Sequence, residues 1–206
     1  MSQPFDRMAV CPAPVTPDAR LKDWWVDNPW QIAANGKSLS GYERNRVFLS
    51  TGGREFFEVS GLTGGADSDG DGRAVVAADF NSDGMEDLIV RQAGGGSLLV
   101  FENRAPKAGW LDVTLKGVQS NRLGIGARVV AEVGGRKVVR ENFPYDGFCA
   151  QGPSHLHLGL GTSAEVDRLT VTWPSGLVQT LEHVGGNRRV IVTEGSAEVG
   201  TFPRRE

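Results

Sequence analysis

Residues 127–140 read Ala127-Arg-Val-Val-Ala-Glu-Val133-Gly-Gly-Arg136-Lys-Val-Val-Arg140. Two valine-rich runs flank Gly134-Gly135, and a two-residue glycine link between such runs is a strong β-hairpin signal. Working outward, Trp110-Leu-Asp-Val-Thr-Leu115 alternates apolar and polar positions. His155-Leu-His-Leu-Gly159, Val166–Trp173, Val178–Leu181 and Arg189–Thr193 follow at short, turn-bounded intervals. About seven strands in roughly 95 residues predict a β-sandwich of immunoglobulin type, here without the Cys–Trp–Cys hallmark of antibody domains.

The first half also reads as strands, shorter and more glycine-rich. Val47–Ser50 and Glu55–Val59 surround Thr51-Gly-Gly53, and Arg73–Asp79 and Asp87–Arg91 flank an acidic loop. Ser97–Glu102 follows Gly94-Gly-Gly96. Residues 1–45 differ: Thr16-Pro17-Asp18 is a helix start, Leu21, Trp24 and Trp25 recur at helical spacing, and Pro29 stops the run. A short helix there, with Trp24, Trp25 and Trp30 packing it or forming an aromatic platform, is the expectation. The fold class is therefore all-β with one short N-terminal helix. The divisions fall at 1–45, 46–107 and 108–206.

Composition narrows the function. The 206 residues hold 22 Lys plus Arg against 25 Asp plus Glu, a net charge of −3. A nucleic-acid binder would be strongly basic, so none is expected. No apolar run reaches the ~18 residues of a membrane span. The first eight residues show no basic segment followed by an apolar one, so no signal peptide is visible. Cys11 and Cys149 stand in no metal spacing; they are either two free, buried thiols or one long-range disulfide.

Asp79-Phe-Asn-Ser-Asp83-Gly-Met-Glu-Asp87 carries the chemistry. Asp79, Asn81 and Asp83 put oxygens at loop positions 1, 3 and 5; Gly84 turns the chain at 6; Asp87 closes the loop at 9. Calcium takes six to eight oxygens at about 2.3–2.6 Å, and this spacing predicts Asp79, Asn81, Asp83 and Asp87 as ligands, with Met85 adding its carbonyl. Hard oxygen donors without His or Cys favour Ca²⁺ over zinc or copper. A second run, Asp67-Ser-Asp69-Gly-Asp71-Gly72, lacks the closing carboxylate, because Val75 stands where it should be.

The acidic loop, with Asp71-Gly-Arg73, Ala78-Asp79-Phe80 and Asp87-Leu-Ile-Val90 around it, resembles an FG-GAP/VCBS repeat of the kind found in integrin α-chain propeller blades. Ser120-Asn-Arg122, Gly124-Ile-Gly-Ala-Arg128, Leu156–Gly161, Val166-Asp167 and Trp173-Pro-Ser-Gly176 resemble the ASPIC/UnbV domain. The pairing is similar to that of the cartilage acidic protein family. It implies a propeller followed by a sandwich, with calcium in the blades. Residues 46–104 supply one such repeat and half of another, whereas a closed propeller needs at least four blades. A partial blade leaves strand edges that must be covered by the N-terminal segment, the sandwich or another chain.

Catalytic signals are weak. His155 and His157 share a strand face but show no third ligand, no GxSxG is present, and Gly124-Ile-Gly-Ala-Arg128 lacks a full dinucleotide fingerprint. The leading expectation is a non-catalytic, exported calcium-binding β module for a protein or glycan partner, extracellular or periplasmic, with assembly into a homo-oligomer as a further expectation. The alternative is an enzyme or accessory factor in secondary metabolism with structural calcium.

Overall fold

The computed structural model describes residues 44–50, 52, 54–68, 72–92, 97–145 and 147–202. The expected N-terminal helix, its three tryptophans, Cys11, Asp69 and Asp71 lie outside the described residues. The described residues form thirteen strands: β1 (Phe48–Ser50), β2 (Phe56–Glu58), β3 (Gly72–Ala78), β4 (Asp87–Gln92), β5 (Leu99–Phe101), β6 (Gly109–Lys116), β7 (Arg128–Val133), β8 (Arg136–Glu141), β9 (Leu156–Gly161), β10 (Glu165–Thr172), β11 (Val178–Gly185), β12 (Arg188–Thr193) and β13 (Val199–Thr201). A single 3-10 turn, Ser60–Leu62, is the helical element among the described residues. None of their helices is long and apolar enough to cross a membrane.

Two compact units result. One is built on residues up to Val75 together with Ile89–Phe101; the other on Val76–Leu88 together with the chain from Glu102 onward. In the first, β1 and β2 form an antiparallel pair, and Ser60 accepts the Val47 N–H on its hydroxyl at 2.8 Å. Strands β3, β4 and β5 are neighbours in a three-stranded sheet, in that order.

The second unit contains two four-stranded sheets, β11-β10-β7-β8 and β13-β12-β6-β9. The hairpin read from Gly134-Gly135 is present, with Val133 opposite Arg136. Inward positions of the two sheets share one apolar core: Leu111, Val113 and Leu115 from β6, Val129, Ala131 and Val133 from β7, Leu158 and Leu160 from β9, and Val190 and Val192 from β12. Burying each such Leu or Val side chain contributes roughly 1.5–3 kcal/mol. The pairing of β12 with β6 is parallel, and β13 adds a short edge strand.

The dispersed polar motifs close the bottom of this sandwich. Glu194, at the end of β12, is buried. One carboxylate oxygen accepts the backbone N–H groups of Val118, Gln119 and Ser120 at 2.6–2.8 Å. The other accepts the hydroxyls of Ser120 and Ser175. The Trp173-Pro-Ser-Gly176 stretch ends β10 in a turn, as its proline requires. The Trp173 indole donates to Gln179 at 3.0 Å inside the core.

Burial pushes the Glu194 carboxyl up. The Ser175 hydroxyl and the N–H groups of Ser120 and Val118 outweigh that and hold it at about 2. A carboxyl held below its unfolded value stabilises the fold above pH 4.5 and loses that contribution as the pH falls toward 2. Glu194→Gln should therefore melt below wild type at pH 7, with the gap closing as both are acidified. A gap that does not depend on pH would contradict this assignment.

Candidate functional site

The acidic stretch folds as a tight turn between β3 and β4. Its backbone N–H groups are met by its own acids. Asp79 accepts the N–H of Asp83 at 3.0 Å on one oxygen and that of Gly84 at 2.9 Å on the other. Asn81 also takes the Asp83 N–H at 3.0 Å, and Asp83 takes that of Met85 at 2.9 Å. Asp87 is 3% exposed and accepts from Phe80 at 3.1 Å and Asn103 at 2.7 Å. Ser82 and Gly84 both adopt positive φ, 61° and 89°, and this coils the turn so sharply.

Gly84 is glycine for a second reason. A Cβ at that position would overlap the indole of Trp110 on β6. The turn is thus seated on the outer face of the β13-β12-β6-β9 sheet. Because Leu111, Val113 and Leu115 point into the core, Trp110 and Asp112 point the other way.

That outer face holds a buried charge. Asp112 is 1% exposed. One of its oxygens lies 2.9 Å from His157 Nδ1; the other accepts from Arg189 Nη2 at 3.1 Å. Arg189 Nη2 also lies 3.3 Å from His155 Nε2. A guanidinium only donates, so His155 Nε2 is the acceptor and its ring is neutral. The Trp110 and His157 rings stack with centroids 6.3 Å apart, and Arg189 lies over the Phe202 ring at 5.2 Å.

Titration follows from these contacts. Burial alone would raise Asp112; the hydrogen bonds from His157 and Arg189 hold it below 3.8. Burial would lower His157, but the Asp112 hydrogen bond and the Glu86 charge raise it above 6.5. His155 stays below 6.5, because burial and the Arg189 and His157 charges outweigh Asp112 and Asp79. Asp79 and Glu86 belong to the acidic turn, so turn and histidines share one electrostatic neighbourhood.

The structure therefore brings Asp79, Asn81, Asp83 and Asp87 into one hydrogen-bonded turn with Met85. Each acid there is engaged with backbone N–H groups. Among the described residues no three His, Cys, Asp or Glu side chains form a group able to hold a metal ion. Sequence reasoning placed His155 and His157 on one face but missed Asp112 and Arg189 as their partners. The signal was present: Asp112 is the one acid of β6 and stands at an outward position of its alternation. In the preceding unit Asp67 is paired with Arg44 at 2.9 Å. Cys149 is free and exposed, which corrects the expectation of a buried thiol.

Residues 117–199 match the model of the family described as ASPIC and UnbV. The match takes in the Glu194 knot, the Trp173 turn, His155, His157 and Arg189; the acidic turn and Asp112 lie upstream of it. No curated protein matches the chain.

Two outcomes are expected. A group raised above its unfolded value, like His157, stabilises below pH 6.5 and loses that as the pH rises. A lowered histidine, like His155, stabilises above pH 6.5 and loses that as the pH falls. Stability should pass through a maximum near pH 6.5. His157→Gln should remove the alkaline slope and His155→Gln the acid slope in denaturant unfolding across pH; slopes unchanged in both variants would refute the assignment. Gly84→Ala meets the Trp110 indole and an unfavourable φ, so it should lose at least about 1 kcal/mol; an unaltered unfolding midpoint would mean the turn is not seated there.

Proposed function

We propose that this chain is a non-catalytic calcium-binding β module that serves a protein or glycan partner in an exported setting. The observation that carries the reading is the Asp79–Asp87 turn. Its own N–H groups hold the side chains of Asp79, Asn81, Asp83 and Asp87 around Gly84. A carboxylate oxygen has two lone pairs, so one N–H bond leaves capacity for a cation. The donor set is all oxygen, which fits Ca²⁺. Asp79, Asn81, Asp83, Asp87 and the Met85 carbonyl would hold the ion, and its role would be structural, offsetting the repulsion of three carboxylates in one turn.

The three-stranded β3-β4-β5 sheet with this turn between β3 and β4 supports reading residues 46–107 as an FG-GAP/VCBS-like repeat of the cartilage acidic protein type. Extracellular calcium modules bind at about 10⁻⁴–10⁻³ M, concentrations met outside cells, which supports an exported setting.

One observation favours the second reading, an enzyme or accessory factor with structural calcium. Asp112 holds the His157 imidazole by Nδ1, the arrangement that orients a general base. A pH-rate profile governed by His157 would support that reading over the first.

Calorimetric titration of Ca²⁺ into chelator-stripped protein tests the site. Binding should be seen, and it should raise wild-type stability by about 2.7 kcal/mol when calcium is a hundredfold above Kd. Asp83→Ala should lose both effects and melt like wild type in chelator. Identical wild-type melting with calcium and with chelator would overturn the proposal.

A further inference from the structure

Away from the acidic turn, the sandwich unit carries a second feature that the calcium reading leaves unused. The chain between β8 and β9 runs from Asn142 to His155 and crosses from one sheet to the other. Connections of this length in a compact domain are uncommon and usually functional. This one exposes a run of aromatic rings: Phe143 is 61% exposed, Tyr145 70% and Phe148 75%. Such rings are left in water only at a considerable loss of burial, since each could cover a large apolar area elsewhere.

Phe143 and Tyr145 do not stand alone. With Leu123 and Ile125 from the turn before β7, and Gln151 and Ser154 from the far end of the connection, they line a shallow open cleft of about 60 Å³. Among the described residues no charged side chain lines it. Its floor is fixed. Asn142 is buried, donates its side-chain amide to the Leu123 carbonyl at 2.7 Å, and pairs through its backbone with Gly126 and Ala127. Asn121 bonds both ways with the Ile125 backbone, at 2.7 and 2.8 Å. The walls are thus held by hydrogen bonds outside the cleft. The hydroxyls of Tyr145 and Ser154 and the amide of Gln151 have no hydrogen-bond partner among the described residues.

We propose that this cleft is a subsite for a neutral saccharide. The inference rests on the reading of the chain as a partner-binding module, and it chooses the glycan over the protein. A pyranose ring has an apolar C–H face and a rim of hydroxyls that both donate and accept. The aromatic rings of Phe143 and Tyr145 match the face. A phenol, an amide and an alcohol match the rim, because each can donate and accept. The described lining is polar and apolar without a cation, which suits an uncharged ligand better than a phosphate or a uronate. The rings are stiff, with two torsions each, so little freedom is lost on binding.

The test uses the full chain on an array of neutral and acidic oligosaccharides, beside a proline-rich decapeptide as the competing aromatic-groove ligand. Retention of a neutral oligosaccharide is expected. Phe143→Ala and Tyr145→Ala should each weaken it at least tenfold in calorimetry, and Gln151→Ala by a smaller factor. The three side chains are exposed, so melting temperatures should stay at the wild-type value, and a loss of affinity is then not a loss of fold. Retention of no neutral sugar, retention insensitive to both aromatic variants, or capture of the peptide or of acidic sugars in its place would each overturn the proposal. Calcium titration of the same samples keeps the two readings apart. Calcium binding without sugar binding defeats the saccharide subsite and leaves the calcium module standing; sugar binding without calcium binding does the reverse.

Discussion

A carboxylate taken out of water must find partners or give up its charge, and the described residues of the sandwich unit bury three of them. Each is met differently. Glu194 is met by three backbone N–H groups and two hydroxyls, which tie the turn after β6 and the turn after β10 to the end of β12. Asp112 is met by a guanidinium and an imidazole from the two strands flanking β6. Asp87 is met by the N–H groups of Phe80 within the turn and of Asn103 after β5. Remove these partners and the buried charges become liabilities of several kcal/mol. The apolar core holds the two sheets together, while the acids decide which loops lie against them.

The pattern also explains why the acidic turn belongs physically with the sandwich. The chain passes through it between β3 and β4, yet the turn groups with the later strands. Gly84 rests on Trp110 and Asn103 closes on Asp87. Here the loop end of the β3–β4 hairpin is anchored by the sheet that follows it in sequence. A cation in this turn would stiffen a joint that polar contacts already define, and the nearby histidines would sense its charge.

Much of this was legible in the residues. Period-two alternation in Trp110–Leu115, the Gly134-Gly135 link and the valine runs gave the sandwich strands almost position for position, because one face of each is buried and register is then strict. The turn at Asp79–Asp87 was legible because positive φ and Asx-type bonding demand Gly, Asp and Asn at fixed offsets. The parallel pairing of β12 with β6 was not, since it joins strands more than 70 residues apart and no local signal encodes it. The partners of His155 and His157 were hidden for the same reason: Asp112 and Arg189 come from strands that meet β9 only through the sheet order. Ser120, Ser175 and Glu194 were visible as scattered polar residues, but their convergence depends on three separate loop ends.

The proposed divalent cation in the Asp79–Asp87 turn is best sought in a crystal structure grown in calcium. Anomalous density is expected within the turn, with oxygens of Asp79, Asn81, Asp83, Asp87 and the Met85 carbonyl at about 2.3–2.6 Å. A map in which those side chains bond only to backbone N–H groups and water, at calcium concentrations of several millimolar, would contradict it.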